Sequence, residues 1–371
     1  MDLFFYGTLC DPDILRIVLG ESPAPQRLVP ARLPGYRSFW AKGWDFPFIE
    51  PGDGAAEGVV LLDVTDVERA RMDYYEGGFQ YALRDVSVET DAGRQPAMVY
   101  FADDDFPERG APWQLEDWQN SWGPISREAA REIMRYMGER DPVWVTERDK
   151  VIMARAQARV DGAKPRPLKH STPLSASEVE VQEHTQPYAD FFTLERFRLR
   201  HPRHDGGLSD VMDRAVFIGF DAALCLPYDP VRDRVLLVEQ FRVGAFARHD
   251  PTPWLLEPVA GLIDPGETPE DTCRREAVEE AGVELRSLHL AGRGYASPGA
   301  NTSYFHSFVG IADLPELVEG RGGLHDEGED IRTIVLPFQE VEAAIASGEA
   351  NVIPLQHLVY WLAANKDRLV G

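Results

Sequence analysis

Cysteine is scarce in this chain: Cys10, Cys225 and Cys273 are scattered through 371 residues. That is too few for a disulfide framework or a structural zinc site. Long apolar runs are missing as well, and none approaches the ~20 residues of a membrane span. The opening MDLFFYGTL lacks the basic start and extended apolar core of a signal peptide. A cytoplasmic protein with no membrane partner is therefore expected. Positive charge is also in short supply, with 38 Lys and Arg against 62 Asp and Glu, a formal net charge of −24. Such a surface repels phosphate backbones, so nucleic-acid binding is excluded as a leading reading. A small polyphosphate can approach only where cations bridge it to the carboxylates. What the chain does hold, 44% apolar and 10% aromatic residues, is a globular composition. Its length suffices for two domains, each burying a core of its own.

The most informative stretch runs from Gly261 to Val283, GLIDPGETPEDTCRREAVEEAGV. Glu276, Glu279 and Glu280 stand three and four residues apart, on one side of a helix. Thr268 is placed to cap that helix, with Pro269 at its first position, Asp271 completing a capping box and Gly282 ending it in a left-handed turn. Like charges at these spacings each cost a helix about 0.2–0.5 kcal/mol, so the cluster needs solvent or a cation. A solvated acidic face would answer for three glutamates on an arbitrary helix. Here Gly261, Glu267 and Arg275 extend them to G-x5-E-x7-R-E-U-x-E-E-x-G-U, with Ala277 and Val283 at the apolar positions. Every fixed letter of the Nudix box is present. Cys273, inside the helix, reads as a packing residue.

Before the box, Leu3–Tyr6 reads as a buried strand leading through Gly7-Thr8-Leu9 into a helix from Pro12 to Leu19. Glycine at such a turn lets the backbone approach a ligand. Strands are expected at Ala31–Ser38, Gly58–Asp63, Leu83–Glu89 and Ala97–Phe101. Residues 115–160 carry helical signals: Ser126 is read as the cap of a helix over Arg127–Gly138, and Val145–Val160 holds Val151, Ile152, Ala154 and Ala158 among charges. GAKPRPLKHSTPLSASE, with Gly, Pro, Ser and Lys and no periodicity, reads as a linker. The expected organisation is residues 1–161, a linker at 162–177, and residues 178–371. In the last part Pro230–Asp233 supplies a turn between strands Ala222–Leu226 and Val235–Glu239. Further strands are expected near Leu288–Gly292, Tyr304–Gly310 and Ile331–Leu336, then two helices. No internal repeat is visible.

The opening YGTL, ARLPGYR, GVVLLDV and the group Asp73, Glu76, Gly77 and Tyr81 resemble the gamma-glutamylcyclotransferase-like (AIG2-like) family over roughly residues 1–110. The resemblance implies a mixed β-barrel with helices. It also implies that Tyr6, Gly7, Thr8 and Leu9 hold a substrate's polar end, while Glu76 is the acid/base of a cyclisation. An inert pocket kept for docking or regulation is the equal alternative.

The second half resembles bacterial ADP-ribose pyrophosphatases of the Nudix superfamily. VLLVEQFRVGAF, PWLLEPVAG, the box, ASPG and GEDIR follow in that order across residues 179–371. An α/β/α sandwich with a mixed sheet is implied, giving an α/β two-domain protein overall. So is hydrolysis of ADP-ribose to AMP and ribose 5-phosphate. The resemblance puts metal ligands at Glu276, Glu280 and Glu329 and the Ala260 carbonyl, with Glu279 nearby. Oxygen donors of this kind suit Mg²⁺, with Mn²⁺ as a substitute. Glu327 corresponds to the general base, and Arg275 and Glu267 to supports of the box. Substrate contacts fall on Phe191, Phe192, Arg214, Arg242, Leu262, Ser297, Pro298 and Gly299, Pro298 being the position tied to ADP-ribose preference. Phe191 and Phe192 are equally readable as core or interface aromatics. A homodimer exchanging N-terminal strands is implied.

Two positions depart from the family pattern. Relatives commonly carry a glutamate a few residues after SPG, where this chain has Thr302-Ser303, and a second basic residue soon after Arg214, where it has Gly219. These leave open another nucleoside diphosphate sugar as substrate. A non-hydrolysing ADP-ribose sensor is the alternative from another class, and the complete carboxylate set argues against it.

Overall fold

In a computed structural model the chain forms two compact units, Met1–Arg166 and Pro167–Gly371. The structure describes residues 1–77, 81–102, 108–172, 174–314, 319–323 and 328–369. Among these, no helix is long and apolar enough to cross a membrane.

The first unit is a closed barrel. Strands β1 (Leu3–Phe5), β2 (Leu28–Ala41), β3 (Pro47–Leu61), β4 (Tyr81–Thr90) and β5 (Gly93–Ala102) join in the order β3-β1-β5-β4-β2. Pairing of β2 with β3 closes the ring, and β6 (Arg109–Pro112) adds to β2. Only β1 and β5 run parallel, so the barrel is mixed. Helix α1 spans Pro12–Leu19, where Pro at the first turn, the Asp11 side chain accepting from Asp13 and Ile14 N–H, and left-handed Gly20 punctuate it. Its apolar face, with Ile14, Leu15 and Val18, packs into the barrel core beside Leu3, Phe5 and Trp118.

One sequence expectation needs correction here, and one helix went unread. The helix placed at Arg127–Gly138 is α4, Gly123–Arg135, with Pro124 in its first turn; it begins ahead of Ser126, which caps nothing. The helical signals over 145–160 belong to two helices, α5 (Pro142–Thr146) and α6 (Asp149–Gly162). Asp141 caps the first, its carboxylate accepting from Val143 N–H, and the chain leaves helical geometry at Arg148. Helix α2 (Asp66–Glu76) was not anticipated, although Thr65 and Glu68 form a reciprocal capping box at its start.

In the second unit β10 (Asp221–Asp229) is central. On one side it runs parallel to β15 (Tyr304–Ile311); on the other it pairs antiparallel with β11 (Arg234–Phe241) and β13 (Val259–Leu262). The full order is β14-β15-β10-β11-β17-β16, with β12 (Trp254–Glu257) on β11, β14 spanning Ser287–Tyr295, β16 Glu319–Gly322 and β17 Ile331–Pro337. Ala223 and Cys225 face helix α8 (Pro269–Ala281) through Cys273 and Ala277. Leu224 and Leu226, alternating with them, face α9 (Phe338–Ser347) and α10 (Ile353–Leu369) through Val341, Leu358 and Leu362. A strand buried on both faces reads as a continuous apolar run rather than an alternating one, as ALCL does. The result is an α/β/α sandwich. Strands β7 (Glu180–Ala189), β8 (Thr193–Arg200) and β9 (Met212–Ile218) form a separate antiparallel sheet.

Candidate active site

Helix α8 begins as its sequence dictates. The Thr268 hydroxyl accepts from Asp271 N–H at 3.2 Å and donates to the Asp271 carboxylate at 2.6 Å, so the return half of the box reaches the hydroxyl. Gly282 ends the helix at φ +64. Arg275 then organises the acidic side. Its Nε and Nη2 donate to both oxygens of Glu267 at 3.0 Å each, and Nη1 donates to Glu276 at 2.6 Å and Glu279 at 3.0 Å. Nη2 also reaches the Leu262 carbonyl at 3.2 Å, tying the helix to β13. A planar five-donor guanidinium is the one side chain able to hold this set together. Thr272 fixes Glu267 from the other side, its hydroxyl donating at 2.8 Å. Burial would raise the Glu267 carboxyl, yet Arg275 and Thr272 hold it below the usual range.

Clearances around this group are minimal. A Cβ on Gly261 would lie 1.8 Å from Glu276 Oε1, so only glycine lets that carboxylate sit against β13. A Cβ on Gly322 would lie 1.7 Å from the Glu280 carbonyl, and one on Gly323 would lie 2.8 Å from Glu329 Cβ. The segment carrying Glu329 is thus drawn against the end of α8, where Gly323 N–H also donates to the Glu279 carbonyl at 3.2 Å.

Glu280 is 1% exposed, and its Oε2 accepts from Ala260 N–H at 3.2 Å. In a strand the N–H and C=O of one residue leave on the same side, so the Ala260 carbonyl shares the edge that faces Glu280. Burial pushes the Glu280 carboxyl up to about 8, with Glu276 and Glu329 adding to the rise. Burial also lifts Glu276, against the pull of Arg275 and with the help of Glu279 and Glu329. The carboxylate oxygens of this group are hard donors of the kind a divalent cation takes. Among the described residues no three such side chains converge closely enough to share an ion; Glu276 is turned to Arg275 and Glu280 to Ala260. Glu327 lies outside the described residues.

Of the residues expected to touch substrate, Leu262 and Arg242 lie by the acidic group, the first through Arg275 and the second acting on Glu280; the rest are placed by other elements. Phe191 and Phe192, at the β7–β8 turn and about half exposed, meet each other and Phe220 edge-on or tilted, at ring distances of 4.8, 5.1 and 5.6 Å. Ser297, Pro298 and Gly299 sit in an exposed turn between β14 and β15, where the Ser297 carbonyl accepts from Ala300 and Asn301 N–H. Phe217 N–H donates to the Ala300 carbonyl, pinning that turn to β9. Arg214, exposed on β9, folds back onto the Asp213 carbonyl at 2.8 Å. Arg242 is held by Glu257, its Nε and Nη2 donating at 2.8 and 2.6 Å; Glu257 was not singled out in the sequence. The two departures meet. Gly219 N–H donates to Thr302 Oγ1 at 2.9 Å, and a Cβ on Gly219 would lie 2.4 Å from Ser303 Oγ.

In the first unit Tyr6, Gly7, Thr8, Leu9 and Glu76 line one cavity of about 120 Å³. The Tyr6 hydroxyl donates to the Tyr100 carbonyl at 3.5 Å, and Tyr100 donates to Asp73 at 2.7 Å. Gly7 abuts Pro47, whose Cγ would stand 2.9 Å from an added Cβ. Burial pushes the Glu76 carboxyl up to about 7, a range in which it can both accept and give a proton near neutrality. Asp45, Ser126 and Asp149 line the same cavity, and nothing in their sequence spacing announces it.

Residues 3–120 match the family of gamma-glutamyl cyclotransferases, AIG2-like, and residues 220–356 match the NUDIX domain. Over 186 residues the chain is 41% identical to an ADP-ribose pyrophosphatase of Escherichia coli K12, a match spanning 49% of this chain and 88% of that protein. It is 36% identical over 203 residues to an ADP-ribose pyrophosphatase of Haemophilus influenzae, spanning 53% and 91%. It is also 36% identical over 144 residues to a GDP-mannose pyrophosphatase of Yersinia enterocolitica, spanning 39% and 74%.

Proposed function

Because the chain belongs to the ADP-ribose pyrophosphatase group of Nudix hydrolases, with an AIG2-like domain at its N-terminal end, we propose that it hydrolyses ADP-ribose to AMP and ribose 5-phosphate in a Mg²⁺-dependent reaction. At the coarser level it is a hydrolase of nucleoside diphosphate sugars. The observation that carries the reading is the buried acidic group of Glu276 and Glu280, braced by Arg275 and short of positive charge.

In this reading Glu276, Glu280, Glu329 and the Ala260 carbonyl would hold the cation, whose chemistry there would be charge neutralisation at the pyrophosphate oxygens and a more acidic water. Arg275 keeps Glu267, Glu276 and Glu279 in place. Glu327 takes the proton as water oxygen bonds to phosphorus and the bridging P–O bond breaks. Phe191 and Phe192 stack on adenine, while Arg214, Arg242, Leu262 and the Ser297–Gly299 turn orient the rest of the substrate. A cytoplasmic homodimer completes the proposal.

The contact of Gly219 with Thr302 and Ser303 favours a second reading, another sugar nucleotide, because an uncharged pair stands where relatives place opposite charges. Turnover of ADP-ribose and GDP-mannose, with product identification and with or without Mg²⁺, tests both. Release of AMP and ribose 5-phosphate, stopped by EDTA, is expected. Faster turnover of GDP-mannose would replace the first reading with the second. Binding of ADP-ribose with Mg²⁺ but no cleavage would establish a sensor. For the first unit, Glu76 as acid/base with the Tyr6–Leu9 loop supports a gamma-glutamyl cyclotransferase type of activity. Release of 5-oxoproline from gamma-glutamyl amines tests it, and no release points to a docking module.

A further inference from the structure

Arg242 follows directly on the last residue of β11, and its guanidinium is not left to swing. Nε donates to Glu257 Oε2 at 2.8 Å, and Nη2 lies 2.6 Å from the same oxygen. The two ends of the pair differ in burial: the Glu257 side chain is 13% exposed and that of Arg242 42%. The acid is therefore the fixed end, and the fork is the end that meets solvent. Nη1 has no hydrogen-bond partner among the described residues, so its N–H groups remain for a ligand.

The pair faces the acidic group. Glu257 stands directly opposite Val238, whose side chain packs with Val259, Cys273 and Ala277 on the α8 side of the sheet. Residues opposite each other on paired strands project to the same face, so Glu257 shares that side. Only Pro258 and Val259 separate it in the chain from Ala260, whose N–H meets Glu280. The charge of Arg242 reaches there: burial lifts the Glu280 carboxyl, and Arg242 pulls against the rise.

The strands do not need this pair to stay together. Four register pairs, from Val238 with Glu257 to Phe241 with Trp254, already join β11 to β12, and Arg242 N–H donates to the Pro253 carbonyl at 2.8 Å. An ion pair with a half-exposed partner adds little stability by itself. Its effect is to remove rotamer freedom from a long side chain before a ligand arrives, which is preorganisation.

We propose that Glu257 is a positioning residue for substrate binding, holding the Arg242 guanidinium so that Nη1 meets the anionic nucleotide sugar beside the acidic group. The proposal rests on the hydrolase reading above, with Arg242 as a substrate contact.

Steady-state kinetics of the full chain with Mg²⁺ test it, on whichever of ADP-ribose and GDP-mannose the wild-type chain turns over faster. The sign of the effect is diagnostic. If the Glu257 charge merely offset that of Arg242, Glu257→Gln would make the site more positive and lower KM for an anionic substrate. Positioning requires the reverse. KM should rise about tenfold, the scale of a hydrogen bond to a charged group, with kcat within about twofold. Glu257→Asp keeps the charge but shortens the reach, and should show the same rise. In an Arg242→Ala background Glu257→Gln should add nothing, because its effect passes through Arg242. A lower or unchanged KM in both Glu257 variants, or a Glu257→Gln penalty that persists in full without Arg242, overturns the proposal. If Glu257→Gln melts early, Glu257→Asp and its double variant with Arg242→Ala carry the comparison. No turnover of either sugar nucleotide refutes the hydrolase reading and this inference together, whereas turnover with unaffected variants refutes this inference alone.

Discussion

At the scale of single residues, the acidic group makes its own demands. Glu280→Gln replaces a carboxyl that burial disfavours in its charged form with a neutral side chain of the same shape, so the melting temperature should hold or rise. Turnover of ADP-ribose should nevertheless fall at least about a hundredfold, since even outer supports of a metal site cost 10–100-fold when lost. An unchanged rate would remove Glu280 from the proposed ligand set. Gly261→Ala tests the 1.8 Å clearance to Glu276. The carboxylate must move, and kcat/KM should drop about tenfold or more with the fold retained; circular dichroism and a rate assay together check this. Glu76 gives a pH-dependent prediction. Its folded value, about 7, lies above the ordinary carboxylate range. Its contribution to stability is therefore complete at low pH and is lost as pH rises toward and past 7. Glu76→Gln should leave the melting temperature unchanged near pH 4 and raise stability at about pH 8 by ~2 kcal/mol, allowing for solvent in the cavity. A loss at the higher pH would mean the carboxylate has a cationic partner.

At the scale of elements, end chemistry decides both stability and how much could be read from the sequence. Glu68, in the first turn of α2, accepts from Arg27 Nη1 and Nη2 at 2.7 and 2.9 Å, and those bonds hold its carboxyl down at about 2. That stabilisation is present above the unfolded value near 4.5 and disappears as pH falls through 2. Glu68→Gln should cost about 1–2 kcal/mol at neutral pH, and its deficit in urea denaturation should vanish in acid. Helices α1 and α8 were legible because proline, a capping side chain and a left-handed glycine mark both ends of each. The break at Arg148 was not, since Val145, Val151 and Ile152 keep an apolar pattern through it. The long β2–β3 hairpin was read as separate short strands because Pro34, Gly35, Pro51 and Gly54 interrupt its composition while the register shifts between Pro34 and Tyr36 and pairing continues. In the site, Arg275 with its glutamates could be read locally. The meeting of Asp45, Ser126 and Asp149 could not, because barrel closure and helix packing make it.

At the scale of the whole molecule, the chain divides into two compact units between Arg166 and Pro167, in a run of exposed residues that includes Lys164 and Lys169. Exposed polar segments of this kind are preferred sites of proteolytic nicking. Because Pro165 and Pro167 protect the bonds after Lys164 and Arg166, brief trypsin treatment should cut first after Lys169, giving two resistant fragments by mass spectrometry; first cuts inside the barrel or the sandwich would contradict the division. Within the second unit everything converges on β10. One neighbour, β13, leads into the acidic group through Ala260 and Leu262, and the other, β15, follows the turn bearing Pro298. Its side chains are shared between two cores, so it cannot loosen toward one and stay seated in the other. Such an enzyme has no worn but serviceable condition. On heating, its hydrolytic rate should disappear in one step with its structure rather than fade ahead of it.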